Sequence, residues 1–400
     1  MDFGNVNSLN NRVNLLSGNL LPILSGDYAF PLHWRVYNTV VWLIELIHTI
    51  ALIFGLVLTP REKALKDGTV CVVVTLEASF MLTRLYRRRK LLERIIGKLN
   101  DILRDSDETM KDIVRSTLSL IIKPFTVYGI VSASTVIIWT IQPVTKAFGK
   151  DTFFYTDYNL PTAFTTEPFS RSVLLASTVV MTIGSVLLFL KKYGVDVYMM
   201  HLVLMLTAQY RYTAEKLTLL FRNSQRDDRV DECRDKTVCR NGTNWQTERE
   251  LKALCRHHNT VLQISFMLRQ LLSVNFSLLY VNSVFRFCFI GILMSTIPLL
   301  TFAEGISIIL FSLGSVIQFF LLCSFVQTLS DASTKITDKA FDENWHQYGS
   351  SIKRTFLLLI MANNLKCQIS AIEKFNLSLP SFMTIMNQSY SIALLFLRAN

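Results

Sequence analysis

Residues 69–90 read TVCVVVTLEASFMLTRLYRRRK. An apolar run from Thr69 to Thr83 ends on Arg84 and the block Arg87-Arg88-Arg89-Lys90. A helix of this kind approaches the length that crosses a ~30 Å hydrocarbon core, and the basic block beside it stays at the lipid headgroups. The stretch therefore gives both a membrane span and the charge that orients it. A single carboxylate, Glu77, lies inside the apolar run.

Six further segments extend the pattern: residues 36–58, 120–141, 173–190, 285–302, 306–327 and 377–397. The fifth and sixth are expected to be parted by a tight turn at Ala303-Glu304-Gly305. Three apolar pieces, 197–206, 274–281 and 356–362, are too short to cross. They read as cytoplasmic continuations of the fourth, fifth and seventh helices that pack on one another. The composition agrees with a membrane chain. Of 400 residues half are hydrophobic and only 18% are charged, against roughly 25% in soluble domains.

Sidedness follows from the basic residues. Segment 84–123 holds 11 Lys/Arg, segment 191–269 holds 14 and segment 326–354 holds 4, together 29 of the 41. The opposite loops hold six: Arg61, Lys63, Lys66, Lys146, Lys150 and Arg171. The basic side is cytoplasmic. The fold class is an all-α membrane protein of seven transmembrane helices, with the N-terminus cytoplasmic and the C-terminus extracellular. The expected division is a cytoplasmic segment 1–35, helices one to four in 36–190, cytoplasmic helical extensions and a loop in 191–284, helices five and six in 285–327, cytoplasmic helices in 328–376, and the last helix in 377–400. No cleaved signal peptide is expected, because 15–24 is interrupted by Ser17, Gly18, Asn19 and Pro22.

Chemistry motifs are missing from the sequence. It holds no nucleotide fingerprint, nucleophile elbow or HExxH zinc motif, so no enzyme and no cofactor is expected. Cys233, Cys239, Cys255, His257 and His258 lack paired CxxC spacing, so no metal site is expected. The net charge of +11 is that of basic loops near lipid rather than a nucleic-acid footprint. Ionisable residues inside spans are candidates for function. Glu45 and His48, three apart, share a helix face as a pair or as a tie to another helix. Glu77 faces either a polar cavity or a charged neighbour. Arg286, at the cytoplasmic start of its span, is expected to snorkel to the interface. In the last helix Ser381, Asn387, Gln388, Ser389 and Ser391 precede an apolar end, 392–397. That pattern fits a pore-lining helix with an apolar constriction, or ordinary polar packing between helices. Counted from Tyr390, Ala393 and Leu397 fall on one face.

The chain resembles the insect odorant receptors. The resemblance rests on the inverted seven-span layout. It rests too on Ser330, Ala340, Phe341 and Trp345 after the sixth span, and on Ser389-Tyr390-Ser391 in the last helix. Leu160-Pro161 and Glu167-Pro168-Phe169 in an outer loop, and His257, complete it. It implies a ligand-gated, non-selective cation channel passing Na+, K+ and Ca2+. It also implies a heterotetramer with an olfactory co-receptor, a cytoplasmic helical anchor and a pore lined by the last helix. A volatile odorant would bind in the outer half of helices two, three, four and six, and the protein would sit, multi-pass, in the plasma membrane of sensory-neuron dendrites with lipid around it. The pore positions so implied are Tyr390, Ala393, Phe396 and Leu397. Phe396 stands where the co-receptor has Gln, and the chain is too short to hold the co-receptor's long insertion in the second cytoplasmic loop, which favours a tuning subunit. A gustatory receptor of the same superfamily, or a seven-helix metabotropic receptor, is the alternative.

Helical spacing within those four helices offers pocket residues. Val73 and Glu77 share a face of the second helix; Ser132, Thr135 and Trp139 of the third; Ser177 and Met181 of the fourth; and Ile309 and Ser312 of the sixth. The pocket is expected to be mostly apolar, with few polar anchors.

Overall fold

The computed structural model describes residues 1–6, 8–23, 30–64, 68–230, 236–296, 302–342, 345–363, 370–372 and 375–399. Side chains are outside that description at 62, 69–70, 146, 223–230, 236–244, 295–296, 370–372, 375–376 and 396–399. The fold is all-α. Short helices α1 (Phe3–Val6) and α2 (Ser8–Leu16) precede α3 (Leu32–Leu58), the turn α4 (Arg61–Lys63), α5 (Thr69–Arg87) and α6 (Arg89–Arg104). Four long helices follow: α7 (Glu108–Lys146), α8 (Arg171–Val230), α9 (Lys236–Thr296) and α10 (Phe302–Asp342). Then come α11 (Ser350–Asn363) and α12 (Leu379–Ala399).

Helices α3, α7, α8, α9 and α10 are long and apolar enough to cross a membrane. At 1.5 Å per residue, the 60 residues of α8 reach roughly 90 Å, about three bilayer cores, so much of it stands outside the lipid. That cytoplasmic part is buried on every side from residue 191 to 210. Burial all round favours an apolar surface, which Val197 to Leu206 supply but for His201, while the charges of Lys191, Lys192 and Asp196 are buried as ion pairs. Phe3 of α1 packs edge-on to Tyr198 and His201 of α8, and the Tyr210 and Ser265 hydroxyls meet at 2.8 Å between α8 and α9. Asp107 caps α7 by accepting from Met110 N at 2.9 Å, and it receives Lys216 of α8 at 2.6 Å. Partial burial works against its charge, but the Lys216 ammonium and the Met110 N–H prevail, and its pKa is lowered.

Three expectations need correction. Residues 356–362 belong to α11, which stands apart from α12, with the paired strands β3 (Ser370–Ile372) and β4 (Phe375–Asn376) between them. Ala303-Glu304-Gly305 forms the first turn of α10 rather than a reversal; residues 297–301 lie outside the described residues. Lys191 and Lys192, counted among the basic loop residues, are buried in ion pairs.

The outer loop between α7 and α8 is a small structure of its own. Strands β1 (Thr152–Phe153) and β2 (Phe169–Ser170) pair antiparallel and close it. Phe153, Tyr155, Tyr158 and Phe169 form its apolar centre. It docks on α3 where Ala163 N donates to Ala51 O at 3.1 Å. The approach at Gly55 is so close that a Cβ there would lie 2.2 Å from the Pro161 carbonyl carbon.

Candidate functional site

Under that loop the bundle holds a partly open cavity of about 140 Å³. Leu160 of the loop and Trp139 and Thr140 of α7 lie at its outer end, and Val136, Thr135, Ser132 and Tyr128 carry the α7 wall inward. Cys71 and Val74 come from α5, Ser185, Leu188 and Phe189 from α8, and Phe311, Gly314 and Ser315 from α10. Trp139 meets Phe311 edge-to-face at 6.2 Å, closing α7 onto α10. The Thr135 and Thr140 hydroxyls donate to carbonyls one turn back, at 2.9 and 2.8 Å, so they present methyl groups rather than open donors. Close approach of α10 depends on Gly314, whose Cβ would sit 2.9 Å from the Ser132 hydroxyl.

The cytoplasmic end of the cavity is charged. Lys192 of α8 contacts Glu77 of α5 at 2.8 Å and both Asp196 oxygens at 2.6 and 2.8 Å. Gln318 of α10 donates to Asp196 at 2.7 Å and accepts from Arg286 of α9 at 2.9 Å. Asn282 of α9 donates to Glu77, and the Tyr128 hydroxyl donates to Asp196 at 3.3 Å. Five helices are thus tied through two carboxylates and two cations. Charges this deeply buried persist only when paired and hydrogen-bonded. A second tie lies beside it. Lys191 reaches Glu45 of α3 at 2.7 Å with Trp42 beneath its ammonium at 3.4 Å, and His48 meets the Ser185 hydroxyl at 3.1 Å. Glu45 and His48 therefore share a face but bond to α8, not to each other. Arg286 does not snorkel: it is 6% exposed and turned into the network.

Ser132, Thr135 and Trp139 line the cavity together. Glu77 lies just below, bonded to the floor. The other named positions are elsewhere. Val74 rather than Val73, and Phe311 and Gly314 rather than Ile309 and Ser312, form the walls. Ile309 is half exposed on the outer surface, and buried Ser312 donates to Ile308 O at 2.6 Å. Ser177 is bound to Tyr158 of the loop at 2.5 Å, and Met181 packs on Ala51 and Leu52 of α3. Helices α5 and α10 are apolar around most of their circumference, so spacing alone does not give their phase. Helical spacing does not single out Lys192, Gln318 or Tyr128, although the buried Glu77 carboxylate calls for a cation such as Lys192.

Along α12, Thr384, Asn387, Gln388 and Ser391 follow one another at i, i+3, i+4 and i+7 and are exposed, with Leu395 one turn further on. Tyr390 is exposed too, whereas Ala393 is buried against α9 at Gly291. Tyr390 and Ala393 therefore do not share an open face. A three-residue step leaves a 60° offset, enough to cross the edge of the α9 contact. The side chains of Phe396 and Leu397 lie outside the described residues.

Residues 64–390 match the model of a family described as 7tm Odorant receptor. Odorant receptor 67a of Drosophila melanogaster is 25% identical over 144 residues, 36% of this chain and 34% of that protein. Odorant receptor 67c of the same species is 25% identical over 154 residues, 38% and 37% of the two chains. The matched part thus spans about a third of the length of these relatives. The solved structure of the insect olfactory receptor OR5 from Machilis hrabei superposes with a TM-score of 0.77 at 12% identity, covering 98% of this chain and 97% of that one. The same receptor in complex with eugenol gives 0.75 at 13% identity over the full length of both. At such identity the likeness establishes a shared seven-span all-α fold.

Proposed function

This chain belongs to the 7tm odorant receptor family, and from that membership we propose that it is the odorant-tuned subunit of a ligand-gated, non-selective cation channel. The observation that carries the reading is the partly open cavity beneath the outer loop, apolar on its walls, with Leu160 and Trp139 at its outer end. A volatile molecule brings few hydrogen-bonding groups, so its affinity comes from apolar area buried in a concave site. OR5, of like fold, has been solved with eugenol, a small aromatic molecule.

The pore is assigned to α12. A helix with a polar stripe left uncovered in a single subunit needs water or other subunits along that stripe. Thr384, Asn387, Gln388 and Ser391 would line the conduit, and the apolar outer end, Leu395 with Phe396 and Leu397, would constrict it. Helices in 36–190 and 285–327 hold the ligand, the extensions in 191–284 and 328–376 form the anchor, and 377–400 forms the pore. The partner is a co-receptor in a heterotetramer in the dendritic plasma membrane of a sensory neuron. Ligand opens the pore by binding the open arrangement more tightly than the closed one.

The test is current in a heterologous cell expressing this chain alone and then with a co-receptor. Odorant-evoked cation current that needs both chains supports the reading. Substrate uptake without conductance, or a G-protein response without current, rejects it.

A further inference from the structure

The two cations of the cavity floor differ in what they have left to give. An ammonium has three N–H donors. Lys192 donates to the Asp196 oxygens at 2.6 and 2.8 Å, and its ammonium is ion-paired with Glu77 at 2.8 Å. A guanidinium has five. Arg286 gives one to Gln318 at 2.9 Å and one to the Ser283 hydroxyl at 3.3 Å. Its nearest carboxylate oxygen, on Glu77, is 3.9 Å away, beyond hydrogen-bond distance. Among the described residues its buried Nε finds no partner. An uncommitted buried donor on a charged group is costly, and a ligand that accepts from it recovers that cost.

From this imbalance, and resting on the cavity as the odorant site, we infer that the preferred ligand is a neutral volatile carrying one hydrogen-bond-accepting carbonyl oxygen, a ketone, aldehyde or ester, held by the Arg286 guanidinium. Charge fixes the neutrality. Glu77 and Asp196 balance Lys192 and Arg286, so a carboxylate ligand would leave an unpaired negative charge in a site of low dielectric. A pure hydrocarbon would fill the walls and leave Arg286 unsatisfied. The volume sets the size, since a cavity near 150 Å³ accepts a benzene ring. The class is thus a one-ring or short-chain carbonyl compound.

The experiment uses the full-length chain in lipid nanodiscs, with affinities for acetophenone, ethylbenzene and benzoate read by tryptophan fluorescence. Acetophenone is expected to bind at least tenfold tighter than ethylbenzene, and benzoate weaker than either. In Arg286→Met the ratio should fall to about one with ethylbenzene unchanged. Because that variant also strips Glu77 of a counter-charge, the charge-balanced pair Glu77→Gln with Arg286→Met is measured beside it and should behave alike. Ser132→Phe, which fills the cavity, should weaken both neutral ligands. Equal affinities in the wild type, or a ratio that survives both Arg286 variants, overturns the proposal while Ser132→Phe still blocks. Affinities untouched by Ser132→Phe overturn the cavity as the site, and the proposal with it.

Discussion

Lys192 and Glu77 lie on different helices, 115 positions apart in sequence, and their charged atoms meet at 2.8 Å with both side chains almost wholly buried. The pair is the centre of a network joining α5, α7, α8, α9 and α10 immediately below the cavity. Breaking a buried pair by removing one partner costs about 3–5 kcal/mol, because the other charge is left uncompensated. Glu77→Leu leaves Lys192 with Asp196 alone and takes from Arg286 its nearer carboxylate. The expected outcome is a severe loss of surface-delivered protein, measured by biotinylation. Wild-type surface levels would show that the network adds nothing to the fold.

Gly55 marks where the outer loop is held against α3. A Cβ would meet the Pro161–Thr162 backbone at 2.2 Å, and backbone cannot yield as a side-chain tip does. Gly55→Val should undock the loop and remove the Leu160 lid from the cavity, at a cost of about 1–3 kcal/mol for overpacking. Limited proteolysis would then cut between residues 150 and 170 at least several times faster than in the wild type. Equal cutting rates would mean that the loop is not seated there.

The parts of this architecture legible in the sequence are those that depend on length and hydropathy. The long apolar segments and the continuation of the fourth and fifth helices into the cytoplasm are of this kind. Position around a helix was legible on α7, where Ser132, Thr135 and Trp139 interrupt an aliphatic background. It was not legible on α5 or α10, whose Val72-Val73-Val74 and Ile308-Ile309 runs are apolar on adjacent faces. Arg286 opens a span, a position that by itself predicts a snorkelling side chain. Its burial depends on Glu77 and Gln318, brought to it from two other helices. Long-range pairing of that sort leaves no local pattern.

Trp139 spans the outer end of the cavity and rests edge-on against Phe311. Truncation to Ala removes a large rigid aromatic surface and enlarges the site. Trp139→Ala should weaken one-ring ligands by about tenfold and favour bulkier ones, with assembly intact. Dose–response curves across a panel graded by volume would record the shift. Curves that overlay those of the wild type would remove Trp139 from the site.

Leu395 and Ala393 make opposite predictions although two residues apart. Leu395 is 71% exposed on the same side as the polar stripe of α12, while Ala393 is 4% exposed and faces Gly291 of α9. If Leu395 forms the constriction, Leu395→Ala should raise resting cation current several-fold with a co-receptor present and leave surface delivery unchanged. Ala393→Leu should do the reverse. Its added carbons have no room at Gly291, so α12 would part from α9, at a cost of about 1–3 kcal/mol. Surface delivery should fall and no leak should appear. Comparing leak with surface level in the two variants separates a gate from a packing contact. A leak from Ala393→Leu with normal delivery would place the conduit on the other side of α12.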